Sequence, residues 1–212
     1  MKFDEMEESW ILNEIEKIKY SLKLNNVIRY NLKRIEKLEE KTQSVAEHVY
    51  NMLILANYFR DLEDQQNKLD FEKITKMILM HDMGEIETGD IVMHKKDKSK
   101  KDLENEMLQK VVEDSPNFIA KEIKKLCEEY DNFSTQEGKF VKAIDKIEQQ
   151  FWHSVFCEPE MVCATCTLEE RDKNEIKRRE IYKKCGFKFI EKFALVIHKQ
   201  MCKKYPEYSN LN

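Results

Sequence analysis

The sequence predicts an all-α protein, and three features of its 212 residues support that fold class. Glycine and proline, which punctuate turn-rich β structure, occur only four and three times. Lysine and glutamate are abundant and valine is sparse, which favours helices over strands. Apolar residues recur at helical spacing along most of the chain. The length suits one domain with its own core, so we predict a single domain over residues 1–212.

The first half of the chain carries three predicted helices. Residues 6–24 place tryptophan, isoleucine and leucine at helical spacing. Ser44 and Glu47 form the S-x-x-E pattern of a capping box, so a second helix is expected to begin at Ser44. A third apolar stripe predicts a helix from Phe71 to Met83, after a polar loop at 61–70.

The second half is predicted to continue as helices separated by short breaks. Pro116 and Gly138 lie near two of these breaks, and Gly186 is a candidate helix C-cap. The last residues, YPEYSNLN, are expected to fray. The predicted helices cover 102–113, 117–132, 135–156 and one or two segments within 169–204.

Composition gives no support to several functional classes. A net charge of −4 gives no basic surface for a nucleic-acid polymer. No run of about 18 apolar residues is present, so no membrane span is predicted. The acidic start, MKFDEMEESW, does not resemble a signal peptide, and the six cysteines suit reduced thiols. We therefore expect a cytoplasmic protein.

Cys157, Cys163 and Cys166 suggest a zinc site, but free thiols are favoured because no second C-x-x-C pair completes it.

The stretch MILMHDMGEIETGD places charge at the end of an apolar helix. His81 follows Met77 and Ile78 at helical spacing and faces the same way as their stripe. Asp82 lies near the edge of that face, about 100° around the helix. A lone histidine here would most simply be a hydrogen-bonded core residue. A buried carboxylate beside it needs a partner more urgently.

Two further segments supply matching side chains. His48 lies beside the apolar stripe of the second predicted helix. Asp145 lies among apolar residues of VKAIDKIEQQFW, although it could instead be an exposed residue paired with a neighbouring lysine. Two histidines and two aspartates on three helices can converge on one divalent cation, and this mixed set suits Mn, Fe, Co or Zn better than Ca.

The order His48, His81-Asp82, Asp145 resembles the H…HD…D signature of the HD-domain metal-dependent phosphohydrolases. The words SVAEH, HDMGEIETGD and KAIDKIE are similar to those of the 5′-deoxynucleotidase family, which includes the bacterial YfbR-like and eukaryotic HD-domain-containing protein 2 groups. The resemblance covers about residues 20–155. It implies an HD-domain helical bundle with extra N- and C-terminal helices, the C-terminal extension being 157–212.

The resemblance also implies roles for individual residues. One divalent metal, whether Mn, Co, Fe, Zn or Mg, is expected at the H…HD…D residues, and a homodimer is implied. Arg29 would bind the substrate phosphate, although a surface salt bridge is the alternative and Arg34 is a rival. The implied set is His48, His81, Asp82 and Asp145 as metal ligands, Glu85 and Asp90 as catalytic acids, and Arg29 and Tyr30 as substrate contacts.

The function implied is removal of the 5′-phosphate from (deoxy)nucleoside monophosphates, so the expected partner is a small nucleotide. Two alternatives stay open. One is another HD-type hydrolase, such as a nucleoside triphosphate triphosphohydrolase or an enzyme acting on a different phosphate ester. The other is a helical binding protein that keeps the metal as a structural element. Glu85 and Asp90 favour an enzyme, because a structural metal needs neither acid.

Overall fold

A computed structural model describes residues 8–29, 43–64, 66, 68–90, 98–156 and 166–211. Within these ranges no β-strand forms, and the isolated antiparallel bridge pairs Ile28 with Ser44. The all-α fold class is therefore confirmed. Residues Leu22–Asn26 form a 3-10 helix, and the α-helices are α1 Glu8–Ser21, α2 Val45–Glu63, α3 Phe71–Met80, α4 Glu85–Thr88, α5 Lys98–Asp114, α6 Asn117–Asn132, α7 Gln136–Phe156, α8 Leu168–Cys185 and α9 Lys188–Lys204.

Helix α7 lies at the centre of the bundle. It packs against α2, α3, α6, α8 and α9. Its side chains Phe140, Val141, Ile144 and Ile147 are all fully buried, because neighbouring helices cover it on several sides. Polar residues on the covered faces of α7 therefore need partners from those neighbours. Among the described residues, no helix is long and apolar enough to cross a membrane.

Local hydrogen bonds set the helix ends, and most follow the predictions. Ser44 and Glu47 form the expected capping box at the start of α2. Gly186 adopts the left-handed conformation, with φ of 84°, and ends α8 as a C-cap. Helix α3 ends at Met80, three residues earlier than predicted, because the following backbone bonds close tighter turns: Met83 N–H donates to Met80 O and Glu85 N–H donates to Asp82 O.

The C-terminal tail is held in place, so the prediction that it frays was wrong. The Arg171 guanidinium donates to the carbonyl oxygen of Tyr208 over 3.0 Å. The Asp172 carboxylate accepts hydrogen bonds from the Ser209 hydroxyl and from the backbone and side-chain amides of Asn210. Tyr208 and Ser209 are buried.

Candidate metal centre

Three helical elements bring the predicted ligands together. His48 lies in the first turn of α2, His81 and Asp82 lie in the turn that follows α3, and Asp145 lies on α7. Because α7 packs against both α2 and α3, these side chains meet in the interior. One ligand atom each from His48, His81 and Asp82 lies within 4.8 Å of the others. Asp145 Oδ1 lies 3.5 Å from His48 Nε2.

The hydrogen bonds of the two histidines orient their other ring nitrogens. His81 Nδ1 lies 2.9 Å from the carbonyl oxygen of Ile78, which can only accept, so Nδ1 carries the proton. His48 Nδ1 lies 2.5 Å from Glu148 Oε2, where the same argument holds for an ionised carboxylate. Both Nε2 atoms are buried, and neither has a hydrogen-bond partner among the described residues.

His81 Nε2 lies 3.1 Å from Asp82 Oδ2 and His48 Nε2 lies 3.5 Å from Asp145 Oδ1, yet neither contact has the geometry of a hydrogen bond. Buried polar atoms are normally paired, so this arrangement needs an explanation. A divalent cation between His48 Nε2, His81 Nε2 and the Asp82 carboxylate would supply one. Imidazole nitrogen with carboxylate oxygen is a donor set that transition metals accept. The residues present therefore fit a metal ion.

The charges of the cluster also suit a cation. Burial opposes ionisation of Asp82, but His81 and His48 outweigh it and hold the pKa of Asp82 below its usual value. Burial likewise opposes ionisation of Asp145, yet Lys146 and His48 hold its pKa well below the usual value. Burial and Arg29 lower the pKa of His48, but the carboxylates of Asp145 and Glu148 raise it overall. The cluster thus keeps its carboxylates ionised and attracts positive charge.

Asp145 uses its two oxygens differently. Oδ2 accepts hydrogen bonds from the Tyr130 hydroxyl at 2.6 Å and pairs with Lys146 Nζ at 2.8 Å. Oδ1 faces His48. The alternative for Asp145, an exposed residue paired with a neighbouring lysine, is therefore correct about the pairing and wrong about the exposure. The lysine pair exists, but Asp145 is only 5% exposed and faces the cluster as well.

Arg29 lies at the cluster rather than on the surface. It is 6% exposed, and its guanidinium NH1 lies 3.7 Å from Asp82 Oδ2. Its backbone N–H donates to the carbonyl oxygen of Gln43 over 2.8 Å, next to the bridge between Ile28 and Ser44. The surface salt bridge is thus excluded for Arg29. Tyr30 and the rival Arg34 lie outside the described residues.

Glu85 and Asp90 lie at opposite ends of the short helix α4, which follows the turn that carries His81 and Asp82. Glu85 is the first residue of α4 and is partly exposed, as is Asp90. Gly89, with φ of 69° and ψ of 166°, adopts a conformation that is essentially restricted to glycine, so it sets the path of the chain into Asp90. Gly84 has a helical φ of −58° and does not need to be glycine for its backbone. Of the two glycines, only Gly89 therefore has a backbone conformation that requires glycine.

Sequence reasoning assigned no role to Glu148. This residue lies three positions after Asp145 and therefore on the same face of α7. A glutamate among the apolar residues of that face was the available signal. Its partners, Gln43, Asn51 and His48, lie about a hundred residues away in sequence and could not be inferred from spacing.

The cysteines give no support to a second metal site within the described chain. Cys157 and Cys163 lie outside the described residues, and Cys166 is a partly buried cysteine that forms no disulfide. Cys127 is buried in the core and Cys202 is half-buried.

Known proteins are similar to this chain in sequence and in fold. The 5′-deoxynucleotidase HDDC2 of Mus musculus is 35% identical over 113 residues, which cover 51% of this chain and 53% of that protein. The 5′-deoxynucleotidase hdd1 of Schizosaccharomyces pombe is 36% identical over 115 residues, covering 51% of this chain and 56% of its own. The chain therefore spans about half the length of the curated relatives it matches.

Two solved structures share the fold at low sequence identity. A predicted metal-dependent phosphohydrolase from Magnetospirillum magnetotacticum superimposes with a TM-score of 0.72 at 20% identity, over 92% of this chain and 97% of that one. An HD-domain phosphohydrolase from Listeria innocua gives a TM-score of 0.53 at 23% identity, over 89% and 85%. The family model described as HD domain matches residues 23–182, which is more than half of the sequence. The chain belongs to the HD domain family.

Proposed function

We propose that this protein is a metal-dependent phosphohydrolase that removes the 5′-phosphate from deoxynucleoside monophosphates. The observation that carries the proposal is the pair of buried Nε2 atoms on His48 and His81, which lack hydrogen bonds among the described residues and adjoin Asp82. Arg29 adds a buried guanidinium beside them. The substrate class comes from the relatives named 5′-deoxynucleotidase.

Four side chains would hold the cation: His48, His81, Asp82 and Asp145. A bound divalent cation polarises a phosphoryl oxygen and lowers the pKa of a bound water toward neutrality. The mixed nitrogen and oxygen donors favour Mn, Fe, Co or Zn, and Mg remains a candidate to be tested. Asp145 would contribute Oδ1, because Oδ2 already binds Tyr130 and Lys146.

The chain's own residues would bind the substrate and move the proton. The Arg29 guanidinium has the fork geometry that binds a phosphate through two parallel hydrogen bonds. Glu85 would accept a proton from the attacking water. The water oxygen bonds to phosphorus as the bond between phosphorus and the 5′ oxygen breaks. That proton is the one the leaving 5′ oxygen needs. Asp90, fixed by Gly89, would contact the substrate from the other end of α4.

A nucleotide panel tests this function. Metal-stripped protein would be supplied separately with Mn, Co, Mg or Zn, and product would be measured for each deoxynucleoside and ribonucleoside mono- and triphosphate. Metal-dependent release of orthophosphate from deoxynucleoside monophosphates is expected. Release of tripolyphosphate from triphosphates would instead identify a triphosphohydrolase. Full metal loading without any product would favour a structural metal.

Substitutions at the HD pair test the ligand assignment. Asp82→Asn and His81→Ala should each lose most bound metal and nearly all phosphate release, because each removes a ligand from a small set. Metal content would be measured by elemental analysis beside phosphate release. Asp61→Asn, an exposed aspartate on α2, is the matched control and should retain both. Full activity in either HD-pair variant would remove these residues from the site.

A further inference from the structure

Glu148 is a buried carboxylate that the proposed chemistry does not use. It is 1% exposed and lies on α7, the central helix. Its two oxygens contact three nitrogen groups: Oε2 lies 2.5 Å from His48 Nδ1, and Oε1 accepts from Gln43 Nε2 at 2.7 Å and Asn51 Nδ2 at 3.0 Å. A carboxylate this deeply buried is stable only with such partners. The question is what these contacts hold in place.

The contact to Oε2 determines which nitrogen of His48 faces the cluster. An ionised carboxylate can only accept, so His48 Nδ1 keeps its proton whether or not the rest of the ring is protonated. With Nδ1 protonated, Nε2 is the nitrogen whose lone pair would be available to a cation. Carboxylates that bind the far nitrogen of a metal-binding imidazole fix its tautomer and its orientation.

The contact to Oε1 reaches the other half of the site. Gln43 uses its side chain to bind Glu148, and its backbone carbonyl accepts the N–H of Arg29 at 2.8 Å. The neighbouring Val45 N–H donates to Val27 O, also at 2.8 Å, so the two segments are paired on both sides of the Ile28–Ser44 bridge. The backbone that carries Arg29 is thus anchored to α7 through Gln43.

We propose that Glu148 is a positioning residue for both halves of the site: through Oε2 it orients His48 for the cation, and through Oε1 and Gln43 it holds the Arg29 backbone for the substrate phosphate. This inference rests on the proposed function. The two branches leave from different oxygens of one carboxylate, so substitutions can separate them. Loss of Glu148 should affect both metal and substrate, whereas loss of the Gln43 side chain should affect substrate alone.

The test measures the affinity of metal-stripped protein for Zn²⁺ by competition with a chromogenic chelator, and the KM for a deoxynucleoside monophosphate. Glu148→Ala should weaken Zn²⁺ binding by about 10- to 100-fold. Glu148→Gln should be intermediate, because its amide oxygen can still accept the proton of His48 Nδ1 while its charge is gone. Gln43→Ala should leave Zn²⁺ affinity within about twofold and raise KM, because only the anchor of Arg29 is cut.

Glu63→Gln is the matched control, since Glu63 also accepts a hydrogen bond, from Ile190 N–H, but at the start of α9. It should change neither quantity. A wild-type protein that binds no metal would refute the proposed function itself. If the wild type binds Zn²⁺ and Glu148→Ala binds it equally well, the positioning role is wrong. It is equally wrong if the loss of Zn²⁺ affinity in the two Glu148 variants only follows the drop in their melting temperatures. Should Glu148→Ala not fold, wild-type affinity in Glu148→Gln together with wild-type KM in Gln43→Ala would overturn it.

Discussion

Individual charged residues inside this protein are stabilised by named neighbours rather than by solvent. Asp145 is bound by Tyr130 and Lys146, and Glu148 by Gln43 and Asn51. Burial opposes ionisation of both groups, but Lys146 and His48 hold the pKa of Asp145 well below its usual value, and His48, Arg29 and Asn51 lower the pKa of Glu148. The same residues therefore explain both how the charge is tolerated and why it is available to a cation.

Glu85 is expected to act on protons rather than on the metal. Glu85→Gln should keep the metal content of the wild type and reduce kcat by about 10²- to 10⁴-fold, because an amide cannot accept the proton of the attacking water. Metal content and steady-state kinetics measure the two effects separately. Glu87→Gln is the control on the same helix, since Glu87 binds Tyr20 and Lys110 instead. Loss of metal in Glu85→Gln would make Glu85 a ligand and contradict its assigned role.

We expect Lys142 to make the free energy of unfolding depend on pH. It is 15% exposed and lies over the ring of Tyr130, and burial together with Lys146 lowers its pKa to about 8. Between about pH 8 and the unfolded value near 10.4, the unfolded chain holds a proton that the folded chain has released, so this residue makes stability rise with pH. Below about pH 8 both states are protonated and the full cost of burying the charge applies.

Lys142→Met should therefore stabilise the protein most near neutral pH, with the gain shrinking as pH rises from about 8 to 10. Urea unfolding at a series of pH values measures this difference. Lys125→Met, at an exposed position on α6, should show no such trend. A difference between Lys142→Met and wild type that does not change with pH would contradict the shifted pKa.

At the scale of elements, close packing of α6 against α7 determines where glycine is required. A Cβ added at Gly138 would lie 2.6 Å from the backbone oxygen of Glu129, at the end of α6, so the backbone would have to shift. A Cβ at Gly84 would meet no described atom within 4 Å, and the φ of −58° suits any residue. The absence of a side chain at Gly138 therefore allows α6 and α7 to approach closely, whereas Gly84 has no such role.

Gly138→Ala should consequently destabilise the protein by about 1–3 kcal/mol, as overpacking does. Gly84→Ala should be neutral or stabilise it by up to about 1 kcal/mol, because alanine restricts the unfolded chain. Both free energies of unfolding can be obtained from urea titrations. Equal effects of the two substitutions would show that the close approach of α6 and α7 does not set the cost.

At the scale of the whole molecule, the C-terminal segment supports the helices that carry the site. Helix α9 packs against both α2 and α7, which hold His48 and Asp145. The tail that follows is tied back to α8 by Arg171 and Asp172, and His198 on α9 lies 2.7 Å from the carbonyl oxygen of Leu211. The last residues are therefore part of the folded domain.

Asp172→Ala should release this tail. The substitution removes three hydrogen bonds, from the Ser209 hydroxyl and the two amides of Asn210, at a cost of about 1–3 kcal/mol. Faster hydrogen exchange at the amides of residues 209–211 should accompany a lower melting temperature. Lys173→Ala, which removes an exposed ion pair with Glu169, should leave both unchanged. Unchanged exchange in Asp172→Ala would show that other contacts hold the tail.

Local sequence determined much of this protein, because the interactions concerned span only about four residues. The capping box of Ser44 and Glu47 and the C-cap at Gly186 set helix ends without help from the rest of the chain. The apolar stripe around Met77 and Ile78 predicted that His81 would face the interior. The all-α fold and the four candidate ligands followed from such local patterns and from the resemblance they carry.

Tertiary structure alone decided how those residues meet. The early end of α3 places His81 and Asp82 in a turn, and Arg29 is buried beside Asp82. Glu148 binds His48 and Gln43 across 100 and 105 residues. Such contacts depend on which faces of the helices pack together and in what register, and periodicity within one helix carries no information about its neighbour's register. The sequence thus determined the parts of the candidate site, and the packing of α2, α3 and α7 brought those parts together.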